Sequence, residues 1–185
     1  MIKRIRYNNL WLKNKIFLYY IGWKPKSTTR YSLMTGLAIS NNNGKTFKRY
    51  SKAPILKLTN REPYSILTAP YVLKVSNKKW LMWYVSCEEW VNENYPRYNI
   101  KLATSLNGID WEQNGLVSIK LKKGERAIAR PCVIKEKKIY EAVVIKSHRL
   151  LKYVKKKYQS EKNVQLLIGN GTSSKNYIKY LNQLE

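Results

Sequence analysis

The chain has 185 residues with 36 Lys or Arg against 11 Asp or Glu, which gives a formal net charge of +25. Apolar residues at 44% and aromatic residues at 12% exclude wholesale disorder, because disordered chains combine high charge with low hydrophobicity. Ten acids are Glu, one is Asp110, and none precedes Glu62; the only histidine is His148. Clustered oxygen ligands, paired zinc ligands and a Ser-His-Asp triad are therefore poorly supported, and we predict no metal and no cofactor.

A short apolar run, a polar turn and an aromatic-rich run recur along the chain. The three copies are Asn9–Lys13 with Lys15–Tyr20, Pro70–Lys74 with Lys79–Tyr84, and Pro131–Lys135 with Lys138–Tyr140. Short runs of this composition separated by Lys, Asn or Ser are typical of strands joined by tight turns. Each copy therefore predicts a β-hairpin.

A second motif follows each complete hairpin, at Gly36–Phe47 and Lys101–Trp111. Both contain Leu-Ala-x-Ser followed by an Asn-Gly turn and an aromatic residue, which predicts a second hairpin. Two hairpins make the four-stranded blade of a β-propeller. Pro70 and Pro131 lie 61 positions apart, so the chain has room for about three such units, whereas a propeller closes with about 4 to 8. The sequence predicts an all-β, incomplete propeller; the alternative is a β-sandwich with similar hairpins.

The blade pattern stops after residue 145, and we divide the chain into a partial propeller at 1–145 and a basic tail at 146–185. Leu150, Leu151, Val154 and Tyr158 have helical spacing, which predicts a helical tail. This tail is either a real appendage or the frame-shifted end of a longer reading frame. No run approaches the length of a membrane span, and with two cysteines and no cleavable leader we expect a cytoplasmic protein.

Several stretches in this order resemble the five-bladed β-propeller glycosidase superfamily, which includes glycoside hydrolase families 32, 43 and 68. They are Leu18–Trp23, Gly36–Tyr50, Thr68–Pro70 with Trp83–Ser86, and Ala127–Pro131. The resemblance covers roughly Tyr7 to Tyr140. It implies a five-bladed fold, of which this chain holds two to three blades, and a carbohydrate ligand.

The resemblance also implies where catalytic groups belong. Glycosidases of this kind use two carboxylates, one protonated and one ionised. Arg61-Glu62-Pro63 lies near where some of these enzymes have Arg-Asp-Pro, so Glu62 is the candidate catalytic residue and is expected to face the axial funnel beside Arg61. The alternative is a loop-exposed Glu62 that simply pairs with Arg61. Arg130-Pro131 occupies a place where a general-acid Glu is sought, and the segment with the first Asp is expected to be absent.

Candidate substrate-binding residues are Arg61, Glu88, Trp23, Trp90 and Arg130. Trp23 and Trp90 follow aromatic-rich strands at what look like equivalent places, where a ring can stack on a sugar. For Glu88 the simpler alternative is a solvated loop pair with Glu89. Ser40-x-Asn42-x-Gly44-x-Thr46 resembles the Asp-box turn of sialidase-like propellers and is given a structural role only.

These observations lead to two rival functions. The first is a glycoside-hydrolase-like protein that binds a carbohydrate, or hydrolyses a glycosidic bond if complete, and that is inactive alone. The second is a non-catalytic basic module for an anionic glycan or other polyanion, since 13 Lys and Arg precede Arg61 without one acid. Nucleic acid is a disfavoured partner because the basic residues are scattered over strands and turns. A third possibility is a fragment without a function of its own.

Overall fold

The computed structural model describes residues 7–12, 15–123, 125–136 and 139–146. The strands are β1 (Tyr7–Leu12), β2 (Lys15–Pro25), β3 (Tyr31–Ser40), β4 (Lys48–Arg49), β5 (Ile66–Ser76), β6 (Lys79–Asn92), β7 (Tyr95–Ser105), β8 (Val117–Ile119), β9 (Ile128–Glu136) and β10 (Ile139–Lys146). No helix occurs in this part of the chain, so none there is long and apolar enough to cross a bilayer. The predicted helical tail lies outside the described residues.

Consecutive strands pair antiparallel into three units. We name them blade A (β1–β4), blade B (β5–β8) and blade C (the β9–β10 hairpin). Blades A and B touch through a short parallel pairing of Leu33 and Met34 with Ile66 and Leu67. A parallel bridge between Tyr98 and Ala127 occupies the same position between blades B and C. The predicted all-β, incomplete propeller is therefore confirmed for the described residues.

The repeat seen in the sequence also holds in the strand register. Leu18 faces Ala38 in blade A, and Met82 faces Ala103 in blade B, at matching positions. The outermost strands match too. The equivalent cross-strand pairs there are Ile39 with Lys48 and Thr104 with Glu112. Each side chain of blade A therefore has a definable counterpart in blade B.

The two Asn-Gly turns are closed by side chains of their own segment. The Ser40 hydroxyl accepts from the Gly44 amide at 2.9 Å, and the Asn42 carboxamide oxygen accepts from the Thr46 amide at 2.9 Å. Gly44 has φ 85°, a left-handed conformation that costs glycine nothing. Ser105 and Asn107 form the same bonds around Gly108. The Ser and Asn side chains therefore stabilise the two turns, which is the structural role predicted from the Asp-box resemblance.

The core lies between the blades. Residues packed between blades A and B include Phe17, Tyr19, Leu37, Leu67, Trp80, Met82, Tyr84 and Ala103. Residues packed between blades B and C include Ile66, Leu81, Trp83, Val85, Ile100, Ile128, Val133 and Val144. Burying each large apolar side chain contributes about 1.5–3 kcal/mol, so inter-blade packing is the main stabilising term. Trp80 and Trp83 belong to these clusters, and the half-buried Trp111 packs against the first of them.

Candidate functional site

Glu62 lies in the loop that connects blade A to blade B, four residues before β5. Thr59 and Glu62 exchange backbone hydrogen bonds of 3.2 and 2.9 Å, and this tight turn directs the Glu62 side chain inward. The residue is fully buried, with 0% exposure. Its carboxylate lies in the interface between blades A and B, against the face of blade B, and does not point into open solvent.

Four side chains of blade B satisfy this carboxylate. The Tyr84 hydroxyl donates to Oε1 and Oε2 at 3.0 and 2.9 Å, and Ser86 Oγ donates to Oε1 at 2.8 Å. Gln113 Nε2 donates to Oε2 at 2.8 Å, and Lys101 Nζ lies 3.4 Å from Oε1. We call this set the Glu62 cluster. A buried charge is tolerated when it is paired and hydrogen-bonded in this way.

The local sequence explains the cluster, although sequence reasoning missed most of it. Tyr84 and Ser86 are two apart on β6 and therefore share one face of the blade. Lys101 faces Tyr84 across the β6–β7 pair. The signal in the sequence that could have predicted this cluster was Lys101, a lysine inside an otherwise apolar strand. Burial raises the pKa of Tyr84, and the neighbouring Glu62 carboxylate raises it further, so Tyr84 stays a donor.

Arg61 is not the partner of Glu62, which corrects the predicted alternative. Arg61 is exposed, and its Nη1 donates to the Asn114 carbonyl at 2.8 Å. Its own carbonyl accepts from Lys101 Nζ at 3.2 Å. Arg61 thus anchors the loop, while Lys101 supplies the positive charge to Glu62. In this arrangement a sugar could reach the Glu62 carboxylate only if the loop moved.

A second set of candidates lies where the β2–β3 and β6–β7 hairpins meet. The Arg30 amide donates to the Glu93 carbonyl at 2.8 Å, which joins the two hairpin ends. Tyr31 meets Trp90 edge to face with ring centroids 5.5 Å apart. Trp23 is on the same face of blade A as Tyr31 and is 45% exposed. We call Trp23, Tyr31, Glu88, Trp90 and Asn99 the mouth.

The two tryptophans of the mouth are not repeat equivalents, contrary to expectation. Trp23 faces Leu33, and in blade B the corresponding pair is Cys87 with Tyr98. Strand β6 has 14 residues against 11 in β2, and its register shifts between Cys87 and Glu89. Trp90 pairs with Pro96 after this bulge, so its counterpart in blade A is Pro25, which pairs with Tyr31, and not Trp23. Bulges re-aim side chains in this way.

Glu88 is the exposed acid of the mouth. Its Oε1 accepts from Asn99 Nδ2 at 2.5 Å, whereas neighbouring Glu89 pairs with Arg97 at 2.7 Å. The alternative, that Glu88 and Glu89 are both solvated residues of a loop, is wrong, because both lie in β6 and each has its own partner. Asn99 is fully buried, and no partner for its Oδ1 occurs among the described residues. A buried acceptor without a partner is costly unless a ligand or water supplies a donor.

Arg130 lies in β9, the first strand of blade C, and is exposed. It adopts φ 53° immediately before Pro131, and Ala69 adopts φ 47° before Pro70. A left-handed conformation costs a non-glycine residue of order 1–3 kcal/mol. The same strain therefore recurs before the proline of β5 in blade B and of β9 in blade C. The guanidinium of the nearby Arg126 lies over the Tyr95 ring, with Cζ 4.5 Å from the ring centre.

Cys87 is the remaining group of chemical interest near the mouth. Burial raises the pKa of its thiol from 9.0 to about 12, so the thiol is protonated and unreactive at neutral pH. No group of three or more His, Cys, Asp or Glu side chains suited to a metal ion occurs in the described ranges.

Comparison with known proteins supports the fold. No family model matches the chain. Two curated proteins of Mycobacterium tuberculosis, uncharacterized protein MT1551 and uncharacterized protein Rv1502, are 33% and 32% identical over 126 residues, which is 66% of this chain. The chain spans 41% of the length of each.

Solved structures with a similar fold include glycoside hydrolases. The GH32 β-fructofuranosidase BmSUC1 of Bombyx mori is 16% identical with a TM-score of 0.56, over 79% of this chain and 34% of that chain. A structure described as a glycoside hydrolase is 21% identical with a TM-score of 0.52, over 73% of this chain and 39% of that one. The predicted resemblance to propeller glycosidases is confirmed at the level of the fold.

Proposed function

We propose that this protein binds a carbohydrate at the mouth. The observation that carries the proposal is a 45% exposed Trp23 on the same face of blade A as Tyr31, which contacts Trp90, together with the exposed Glu88 at the neighbouring hairpin end. Exposed aromatic rings stack on the apolar face of a sugar, and the exposed Glu88 carboxylate accepts hydrogen bonds from sugar hydroxyl groups. Sites of this kind are concave, aromatic and provided with a few convergent polar groups.

Hydrolysis requires more of the site than binding does. It needs a protonated and an ionised carboxylate on either side of the glycosidic bond. Glu62 is enclosed by its cluster, and Glu88 is the acid exposed at the mouth. We therefore propose binding without turnover by this chain, with Glu62 as a catalytic residue staying a prediction. The glycosidase fold is an analogy for activity and no more.

Tryptophan fluorescence of the full chain tests binding. The probes are sucrose, which is bound in one BmSUC1 structure, a set of aryl furanosides and pyranosides, and an acidic polysaccharide. We expect saturable quenching with at least one probe and a loss of about tenfold in affinity in Trp23→Ala, as expected for one stacked ring. Phe47→Ala, an exposed aromatic change at the opposite end of blade A, is the matched control. Equal affinity in both variants would place the ligand elsewhere.

A specific observation favours an anionic ligand as the second candidate. Lys24, Lys26 and Arg30 are exposed on the blade A side of the mouth, and no acid lies among residues 1–61. A polyanion would bind with a steep dependence on salt because counterions are released. A neutral sugar would bind with little salt dependence. Repeating the titration at two salt concentrations therefore separates the two functions.

A further inference from the structure

Three Asn-Gly dipeptides lie in turns or loops of the described residues. They are Asn43-Gly44, Asn107-Gly108 and Asn114-Gly115. The glycine nitrogen of such a pair can attack the asparagine carboxamide, because glycine has no side chain to shield the backbone from close approach. The asparagine is exposed in all three pairs, so water and hydroxide reach it. The pairs differ in how the glycine nitrogen is held.

Two of the pairs have a glycine nitrogen that is already occupied. The Gly44 amide donates to Ser40 Oγ at 2.9 Å, and the Gly108 amide donates to Ser105 Oγ at 2.9 Å. Attack by either nitrogen requires that this hydrogen bond is broken first. The loss of one hydrogen bond slows such a reaction by up to about tenfold.

The third pair is open and has a positive charge beside it. No hydrogen bond of the Gly115 amide or of the Asn114 side chain occurs within the part of the chain that the structure describes. Arg61 Nη1 donates to the Asn114 carbonyl oxygen at 2.8 Å, and a Cβ at Gly115 would lie 3.1 Å from Arg61 Cδ. This carbonyl and the Gly115 nitrogen form one peptide unit. The guanidinium therefore stabilises the negative charge that arises when the nitrogen loses its proton.

We propose that Asn114 is a site of spontaneous deamidation and that Arg61 promotes the reaction. The Gly115 nitrogen gives its proton to hydroxide and attacks Cγ of Asn114. The bond from this nitrogen to Cγ forms, and the Cγ–Nδ2 bond breaks as Nδ2 takes a proton from water and leaves as ammonia. Water then opens the cyclic imide. Opening at Cγ leaves an aspartate, whereas opening at the main-chain carbonyl leaves an isoaspartate.

The modified position adjoins a residue of the Glu62 cluster. The Gln113 carboxamide donates to Glu62 Oε2 and to the Lys57 carbonyl, and it accepts from the Lys57 amide. Isoaspartate formation lengthens the main chain directly after Gln113. It also turns the carbonyl that binds Arg61 into a free carboxylate. The modification therefore weakens the hold of Gln113 on the loop that carries Glu62.

Ageing of the full chain at mildly alkaline pH, folded and in urea, tests the site. Cleavage after Glu112 separates the peptide with Asn107 from the peptide with Asn114, and tandem mass spectrometry measures deamidation at each asparagine. In the folded protein we expect Asn114 to react at least about tenfold faster than Asn107 and Asn43. In urea the hydrogen bonds are lost, so the three rates should converge. Equal rates in the folded protein overturn the proposal.

Arg61→Gln tests the role of the guanidinium. It should slow the reaction of Asn114 in the folded protein by about tenfold, because a charged donor is lost, and leave Asn107 unchanged. Arg61→Lys, which keeps the charge, should retain part of the rate. Loosening of the loop alone would speed the reaction, so a slowing reports on the charge. An Asn114 rate that is unchanged or raised in Arg61→Gln overturns the assignment of Arg61.

Asn114→Gln is the matched control for the effect on the Glu62 loop, because the longer side chain cyclises slowly. After ageing, the urea midpoint of the natural chain should fall, and that of Asn114→Gln should stay level. An equal change in the two proteins would overturn the link between deamidation and the Glu62 loop.

Discussion

Glu62 and Glu88 show how one fold treats two acids differently. Glu62 is fully buried between blades and bonded to Tyr84, Ser86, Gln113 and Lys101. Glu88 is exposed at the mouth, where its carboxylate accepts a hydrogen bond from Asn99. The motif resemblance selected Glu62 as the catalytic acid, but the tertiary structure encloses Glu62. The geometry gives Glu62 a role in joining blades, whereas it leaves Glu88 accessible to a ligand.

The largest expected effect is that of Glu62→Gln. Removing this charge leaves Lys101 buried without its counter-ion, and breaking such a pair costs about 3–5 kcal/mol. Glu89→Gln is the matched control, because its bond to Arg97 is part-exposed and worth at most about 1 kcal/mol. Urea unfolding of both variants measures the difference. A Glu62→Gln protein with unchanged stability that loses a glycosidase activity would instead support the catalytic prediction.

Tyr84→Phe should have the next largest effect. It removes the hydroxyl that donates to both oxygens of Glu62, and leaving a buried carboxylate short of a donor costs about 1–3 kcal/mol. Tyr20→Phe is its repeat counterpart, half-buried and without a carboxylate among the described residues, and should change stability by less than about 0.5 kcal/mol. Equal urea midpoints for the two variants would contradict the distinction between the two blade faces.

Alkaline pH should destabilise the fold. Burial raises the pKa of Cys87 to about 12 and also raises the pKa of Tyr84 and Tyr19. A raised folded pKa gives stability that is complete below the unfolded pKa and is lost as the pH rises toward the folded value. The urea midpoint should therefore be level to pH 9.0 and fall above it. Cys87→Ala should make the fall shallower just above that pH, and an identical profile would contradict the assignment.

Glu88→Gln should give the smallest change in stability and the clearest change in binding. The carboxylate is exposed, so the free energy of unfolding should move by less than about 0.5 kcal/mol. Affinity for whichever probe carbohydrate quenches tryptophan fluorescence should fall severalfold, because an acceptor for its hydroxyl groups is weakened. Glu93→Gln, an exposed acid at the hairpin end, is the control for charge. Equal binding by both variants would remove Glu88 from the site.

Much of the fold could be read from local patterns. Asn42-x-Gly44 and Asn107-Gly108 are turn signals whose chemistry is complete within a few residues, and the hairpins followed from them. The repeat distance then predicted blades. The bulge after Cys87 could not be predicted, because strand register near a hairpin end depends on neighbouring blades; Trp23 and Trp90 were therefore wrongly treated as equivalents.

The sequence by itself determined the strands, the turns, the blade repeat and the shortage of acids, since these depend on short-range chemistry and composition. Only the tertiary structure decided which side chains meet across blades. Lys101, not Arg61, pairs with Glu62, because the strand pairing places Lys101 beside Tyr84 while the loop turns Arg61 toward Asn114. Partners 22 to 51 positions apart in the sequence meet in this cluster, and no local pattern specifies contacts over that separation.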